Sequence, residues 1–325
     1  MRFIHNTSTD PAFNLAAEEW LLRHTDTDIF MLWRNAPAVI VGRNQNTASE
    51  IDEEFVRERG ITVIRRLTGG GAVFHDLGNV NFTFIQLGKQ TKQLDFHRFT
   101  APIMEALQAM GVNCRFEGRN DLVIDGQKFS GNAQLLEKDR VLHHGTLLFS
   151  SQMADLSGAL RINPVKYVDK AVKSVAKRVT NISSHLPEPI DVETFVRRVM
   201  AYVSGNEAET LPGLRASEEA AINGLVESKY GTWDWNFGSS PNYGFTRGTR
   251  TEGGVVEVHL DVRHGRIEQA RIFGDFFGAR TVAELEALLA GCRHERSELS
   301  RHLANVRIDE FIRNVDNATF MDCLF

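Results

Sequence analysis

Arg65-Arg66-Leu67-Thr68-Gly69-Gly70-Gly71-Ala72-Val73-Phe74-His75-Asp76 follows the apolar stretch Ile61-Thr62-Val63-Ile64 without a break. Three successive glycines cost backbone entropy, and a turn normally needs one or two, so the run points to a further use. Without Cβ atoms, peptide N–H groups can lie close against a ligand and positive φ is free of strain, while the adjacent guanidiniums supply planar, charge-assisted donors. That surface suits a phosphate or an acyl group; the plain alternative is a glycine-rich turn beside a solvated arginine. Neither Gly-x-x-x-x-Gly-Lys-Ser/Thr nor Gly-x-Gly-x-x-Gly can be read through Gly69, Gly70 and Gly71, and neither Gly42-Arg43 nor Gly274-Asp275-Phe276-Phe277-Gly278 supplies one. P-loop and Rossmann chemistry lose their main support.

Around the run, the pattern predicts strands over 29–33, 38–41, 62–66 and 80–87, and a helix over 51–59 that ends at Gly60. Asp10 before Pro11 is a helix cap with proline at the first helical position, and the helix it opens is amphipathic. A helix over 96–110 leads to Asp125-Gly126, a two-residue hairpin signal. Simple alternation from that turn sets Val123 opposite Lys128 and places Lys128 and Ser130 on one face, Phe129 on the other. A strand over 141–149 carries His143 and His144 on opposite faces, and 191–203 reads as a helix. Lys166, Lys170, Lys173, Lys177 and Arg178 against Asp169 read, taken alone, as a solvated helix face. The polar segment 246–253 reads as a domain boundary, followed by strands over 255–262 and 266–272 and helices over 283–289 and from 295.

With 325 residues, 42% hydrophobic and 24% charged, the chain has the composition of a soluble protein of two domains. A net charge of −5 gives no footprint for nucleic acid, and no apolar run approaches a membrane span. The amino terminus turns polar too early for a signal peptide and has no Arg-rich presequence, so a cytoplasmic location is expected. Cys114, Cys292 and Cys323 have no metal-ligand spacing and read as reduced packing residues.

Gly42-Arg43-Asn44-Gln45-Asn46, the run 65–76 continuing into Gly78-Asn79, Arg119-Asn120-Asp121, Asp125-Gly126-Gln127-Lys128-Phe129-Ser130-Gly131-Asn132-Ala133, His144-Gly145-Thr146, Arg178-Val179-Thr180-Asn181 and Trp233-Asp234-Trp235-Asn236-Phe237-Gly238 occur in that order. In this combination the chain resembles, nearly end to end, a lipoate-protein ligase of the two-domain bacterial type. The resemblance implies an α+β fold of the biotin/lipoate-ligase kind: a mixed sheet with flanking helices over 1–245, plus a small α+β accessory domain over 254–325. It implies that lipoate attacks ATP to give lipoyl-AMP and pyrophosphate, and that the lipoyl group then passes to a lysine. That lysine would belong to a lipoyl domain of a 2-oxo acid dehydrogenase E2 subunit or to the glycine-cleavage H protein. A monomer is expected.

By the same resemblance, Arg66 and the backbone of Gly71, Ala72, Val73 and Phe74 hold the nucleotide, and Lys128 is the catalytic cation shared with the acid. Trp33, His144, Thr68 and Gly70 face lipoate; Asn120 and Asp121 are candidates for phosphate or the Mg²⁺ that accompanies ATP, with no dedicated protein metal site. Lys173, Lys177 and Arg178 fall on a loop that closes over the adenylate. The chemistry agrees, since attack of one anion on another needs fixed positive charge between them. On residues alone, Lys128 also reads as an exposed hairpin lysine, Trp33 as core and His144 as a satisfied strand histidine. His75 and Asp76, without a nucleophile beside them, read as orienting the glycine loop. Leu67, Thr68, Phe129 and Asn132 depart from the family pattern and bear on substrate preference. Other readings are an octanoyl or lipoyl transferase working through a cysteine thioester, a biotin ligase lacking its glycine-rich loop, and a lipoate-binding protein without catalysis.

Overall fold

The computed structural model describes residues 1–88, 95–160, 167–169, 179–205 and 212–325, so Lys173, Lys177 and Arg178 lie outside the described residues. The chain divides into two compact units. One comprises Met1–Arg43 with the described parts of Ile51–Ile162 and Lys173–Thr232; the other comprises Asn44–Glu50, the described part of Asn163–Val172, and Trp233–Phe325.

The first unit is built on a seven-stranded sheet in the order Arg2–Asn6, Ile29–Arg34, Asn79–Leu87, Arg140–Leu148, Gln127–Glu137, Asp121–Ile124, Arg115–Glu117. Its first pair is parallel and the others are antiparallel, which makes the sheet mixed. Side chains alternate across each strand, and here the alternation separates two environments. Phe30, Leu32, Phe82, Phe84 and Leu147 project into one apolar core, where Ile103 and Leu107 of the helix Phe96–Ala109 and Val196, Val199 and Met200 of the helix Val192–Ser204 meet them. Met31, Trp33, Asn81, Thr83 and His144 point the other way, toward the helix Pro11–His24. As read from the sequence, Asp10 caps this helix, its side chain accepting from Ala12 N at 2.8 Å.

A smaller sheet holds the glycine run. Thr62–Arg65 pairs in parallel with Ala38–Val41, which pairs antiparallel with Val73–His75, so residues 66–72 form the loop between its two outer strands. The helix expected over 51–59 is shorter, Glu53–Glu58, because the Asp52 side chain accepts from Phe55 N and starts the helix there, while Ile51 bridges to Leu160. In the Asp125-Gly126 hairpin both turn residues take positive φ, 50° and 76°, as that turn requires.

Phe129 is an extra residue in this hairpin. Val123 does oppose Lys128, but Leu122 opposes Ser130, so the register slips by one across Phe129, a β-bulge. The expectation that Lys128 and Ser130 share a face is therefore corrected. A Cβ placed on Gly131 would stand 2.8 Å from Lys128 Nζ, so the lysine lies on the face of Gly131, opposite to that of Ser130. Alternation along the strand and the pairing of Ala133 with His144 put Gly131, and with it Lys128, on the His144 side of the sheet.

In the second unit Tyr167–Asp169, Tyr243–Thr251, Gly254–Arg263 and Arg266–Gly274 form an antiparallel sheet with the helices Val282–Leu289, Arg296–Leu303 and Asn317–Cys323. Residues 246–253, read as a boundary, are strand and hairpin turn. Their polar and glycine content reflects a strand with one face in water, since Thr246, Gly248 and Arg250 are exposed while Tyr243 and Phe245 are buried. The core gathers Phe245, Val256, Val258, Leu260, Leu285, Leu299, Phe311 and Phe320. Within it, fully enclosed His294 donates from Nε2 to Leu324 O at 2.7 Å and accepts from Tyr243 OH on Nδ1 at 2.7 Å.

Burial pushes His294 from the ordinary 6.5 down to about 4, against the raising effect of its bond to Leu324. Unfolded, the imidazole takes up its proton near 6.5, so the unfolded state binds more protons between the two values and stability falls as the pH drops through that window. We expect the urea midpoint of the wild type to fall between pH 6.5 and pH 4, and that of His294→Gln to fall less; parallel profiles would remove His294 as a source of the loss.

Candidate active site

Arg66, at the end of the strand Thr62–Arg65, is buried beneath the glycine loop and shapes it. Its guanidinium donates from Nε to Thr68 Oγ1 (2.9 Å), from NH1 to Ile40 O (3.0 Å), and from NH2 to Gly69 O (2.7 Å) and Gly71 O (2.8 Å). Four of its five N–H groups thus have protein acceptors. Burial lowers Arg66 to about 10, with Glu18 opposing the shift, and the side chain stays charged at neutral pH. Gly70 reaches φ 95°, and Arg43 N donates to Thr68 O while Arg66 N donates to Val41 O, so residues 41–43 and 66–68 are stitched together. Val73 and Phe74 continue into the strand paired with Ala38–Val41, after Ala72 has ended the loop.

Thr68 connects the loop to the large sheet, because its Oγ1 lies 2.7 Å from His144 Nε2. On the other side of the ring, Nδ1 lies 3.0 Å from both carboxylate oxygens of Glu18, a residue of the helix Pro11–His24. Thr83 Oγ1 donates to the same Glu18 Oε1 at 2.6 Å and receives Trp33 Nε1–H at 2.8 Å. Trp33, Thr68 and His144, taken from distant parts of the sequence, are therefore joined through Glu18 and Thr83, and all five are buried. Sequence reasoning missed Glu18 and Thr83; two adjacent glutamates in the mostly apolar run 11–22, a helix buried on all sides and not along one stripe, were the available signal. The second of them, Glu19, accepts from Lys229 Nζ and Tyr230 OH, each at 2.6 Å, and pairs with Arg23.

His143, one residue away, serves the opposite face. It stacks on Phe82 and Phe99, its Nε2 meets Asn132 Oδ1 at 3.2 Å, and burial holds it well below its usual value, hence neutral. His75 is likewise neutral, pushed down to about 3 by burial and then by the Arg66 charge. It bonds Asn35 and sets its ring edge against Trp33 at 6.0 Å, whereas Asp76 accepts from Gly78 N and Gln152 N. Asp76 thus shapes the turn after the loop, and not the glycines themselves. Buried without a hydrogen-bond partner among the described residues are His75 Nε2, Asn79 Oδ1 and Asn81 Nδ2, the last directly across the strand pair from Trp33. Such atoms mark a polar surface made for water or a ligand.

Lys128 lies over Gly131 and pairs with Asp121 at 2.9 Å; its side chain keeps 26% exposure against 5% for Asp121. Thr180 N donates to Lys128 O at 3.0 Å, which ties the hairpin to the segment that follows residue 178. Asn120 is turned into the hairpin, its Nδ2 donating to Asn132 O at 2.6 Å and its carbonyl accepting from Asn132. Among the described residues no group of three His, Cys, Asp or Glu side chains could hold a metal ion.

Gly42 keeps the loop in place. A Cβ there would stand 2.0 Å from Gly70 O and 3.2 Å from Arg66 NH2. We expect Gly42→Ala to destabilise the protein by about 1–3 kcal/mol through this overpacking, and to speed amide exchange at Gly69, Gly70 and Gly71; unchanged exchange at those glycines would show that the loop does not rest on the contact.

The sequence model of the lipoyl protein ligase A/B catalytic domain matches residues 10–204, and that of the bacterial lipoate protein ligase C-terminus matches residues 240–324. Lipoate-protein ligase LplJ of Bacillus subtilis (strain 168) is 39% identical over 331 residues, covering 100% of both chains. Among solved structures, that of P. falciparum LipL1 in complex with lipoate is similar with a TM-score of 0.62 and 25% identity over 99% of this chain and 97% of its own. The structure of lipoate-protein ligase A bound with ATP gives a TM-score of 0.60 and 25% identity over 73% of this chain and 98% of its own. With both sequence models and a full-length relative in agreement, the chain belongs to the lipoate-protein ligase family.

Proposed function

We propose that the protein activates lipoate with ATP and transfers the lipoyl group to a lysine of an acceptor protein. The observation that carries this reading is the division between two cations. Arg66 is engaged by the glycine loop it shapes, whereas Lys128 is held at the surface of the site face with Asp121 as its one partner among the described residues. In the first step a lipoate carboxylate oxygen bonds to the α-phosphorus as the bond to the bridging oxygen of pyrophosphate breaks. Both reactants are anions, so Lys128 exchanges Asp121 for the carboxyl and α-phosphate oxygens and stabilises the charge that collects there. Backbone N–H groups from Gly71 to Phe74, beside the carbonyls that Arg66 holds, receive the adenylate, with the Arg66 charge behind them. The acyl chain and dithiolane ring run against Trp33, Gly70, Thr68 and His144, where the indole supplies the apolar surface and the hydroxyl and imidazole are engaged with each other. In the second step the acceptor amine attacks the acyl carbonyl carbon, AMP leaves, and the nitrogen loses a proton.

Asp121 would be the residue to hold Mg²⁺ bound with ATP, which would offset phosphate charge there, since the Asn120 amide is tied to Asn132. The acceptors are lipoyl domains of 2-oxo acid dehydrogenase E2 subunits and the glycine-cleavage H protein; residues 254–325 act as an accessory unit in transfer, and the protein works as a cytoplasmic monomer. No helix among the described residues is long and apolar enough to cross a membrane. A thioester transferase is disfavoured by its missing nucleophile: Cys114, the cysteine of the first unit, packs in the aromatic core, where burial raises its thiol to about 11.

Purified protein with ATP and Mg²⁺ should catalyse lipoate-dependent exchange of pyrophosphate into ATP with no acceptor present. Lys128→Ala should stay folded and lose this exchange by at least about a hundredfold. Exchange at the wild-type rate in that variant would remove Lys128 from the chemistry, and a folded wild type inert with lipoate, octanoate and biotin alike would overturn adenylation itself.

A further inference from the structure

We infer that Glu18 is a positioning residue for the reaction proposed above, a single buried carboxylate on which two hydrogen-bond chains converge, one from the glycine loop and one from Trp33. The inference rests on that reading for its reaction but on the geometry alone for its two chains.

For a neutral imidazole the hydrogens along both chains follow from the groups they meet. A carboxylate only accepts, so His144 Nδ1, 3.0 Å from both Glu18 oxygens, carries the ring hydrogen and Nε2 is left as an acceptor. The Thr68 hydroxyl then donates to Nε2 across 2.7 Å, and its own oxygen is free to receive Arg66 Nε–H across 2.9 Å. The other chain has the same polarity, with Trp33 Nε1–H donating to Thr83 Oγ1 and Thr83 donating to Glu18 Oε1. Every donor points toward Glu18. Its hydrogen bonds reach Thr83 and His144, one step short of the glycine loop and of Trp33, yet it decides which nitrogen of His144 is protonated and which way two threonine hydroxyls turn. Thr83 and His144 stand directly opposite each other on neighbouring strands, so one side chain reaches both. Glu19 does not duplicate it, because its oxygens serve Lys229, Tyr230 and Arg23.

Glutamine at position 18 has nearly the same shape but places an amide N–H₂ where only donors arrive. With the amide oxygen in the place of Oε1, an N–H₂ group stands against His144 Nδ1–H; with the amide turned over, it stands against the Thr83 hydroxyl as well. If His144 responds by moving its hydrogen to Nε2, the ring donates to Thr68, whose hydroxyl must turn away. The disturbance reaches Arg66 and the loop carbonyls it holds, so acid binding and adenylation change together without loss of fold.

The test uses the full-length protein with ¹⁵N-labelled tryptophan, the Trp33 indole resonance being assigned with Trp33→Phe. In Glu18→Gln without ligand, the Trp33 Nε1–H resonance should move, and in pyrophosphate exchange the lipoate KM should rise while kcat falls by about ten- to a hundredfold, the usual scale for removing a group that orients another. Thr83→Val cuts only the tryptophan chain; it should move the same resonance and raise the lipoate KM, with the KM for ATP unchanged. Folded Glu18→Gln that loses thermal stability alone, with the Trp33 resonance and both kinetic constants as in the wild type, would overturn the inference. Should Glu18→Gln not fold, an unmoved Trp33 resonance in Thr83→Val overturns it equally. A shifted resonance in Glu18→Gln beside a wild type inert toward lipoate would uphold the two chains and overturn the reaction assigned to them.

Discussion

A guanidinium taken out of water must be met on nearly every side by acceptors, and Arg66 meets this demand with peptide carbonyls in place of a carboxylate. Ile40, Gly69 and Gly71 turn their carbonyls toward one centre, and Gly70 between the last two takes a φ of 95° that a side chain would strain. The loop is therefore shaped from within, by a charge, and the small sheet on either side of it is held to the same point. A loop organised in this way has its outward N–H groups fixed before any ligand arrives, which is the condition for electrostatic stabilisation without reorganisation.

The large sheet separates this polar construction from the apolar mass that stabilises the unit. Stacked rings such as Phe149 and Phe195, 4.5 Å apart, fill one side, each buried phenylalanine contributing about 1.5–3 kcal/mol. Buried hydroxyls, a carboxylate and an imidazole occupy the other side, where each must be answered by a partner. His143 and His144 show how sharp the division is: neighbours in the chain, one is packed between phenyl rings and the other closes a chain of polar contacts.

Much of this was legible in the sequence, because alternation and caps are local. The Ala38–Val41 strand, the Asp10 cap, the Asp125-Gly126 turn and the opposed histidines follow from spacing alone. The glycine run declared a loop through its composition, and the structure wraps that loop around Arg66. Glu18 and Thr83 stayed hidden because their partners come from other strands, and a buried glutamate looks like a solvated one until the fold brings His144 above it. Residues 246–253 misled for a related reason, since a strand wetted on one face has the composition of a linker. Asn120 drew attention by its place beside Asp121, yet its amide is engaged with Asn132, a contact made only once the hairpin has formed.

The slip of register at Phe129 makes the length of the Lys128 hairpin a matter of handedness as well as reach. Without the slip, and with Phe129 kept, strict alternation would put Lys128 on the face of Ser130 and turn the ammonium toward the phenyl rings, so the extra residue is what holds the charge on the side of His144. Deleting Phe129 itself would only close the bulge, whereas an uncompensated one-residue change elsewhere in this strand is an inversion, exchanging inside for outside along the segment beyond it. Length variation in this protein has to be accommodated at other turns, and the hairpin at 125–131 behaves as a fixed ruler between the core and the chemistry.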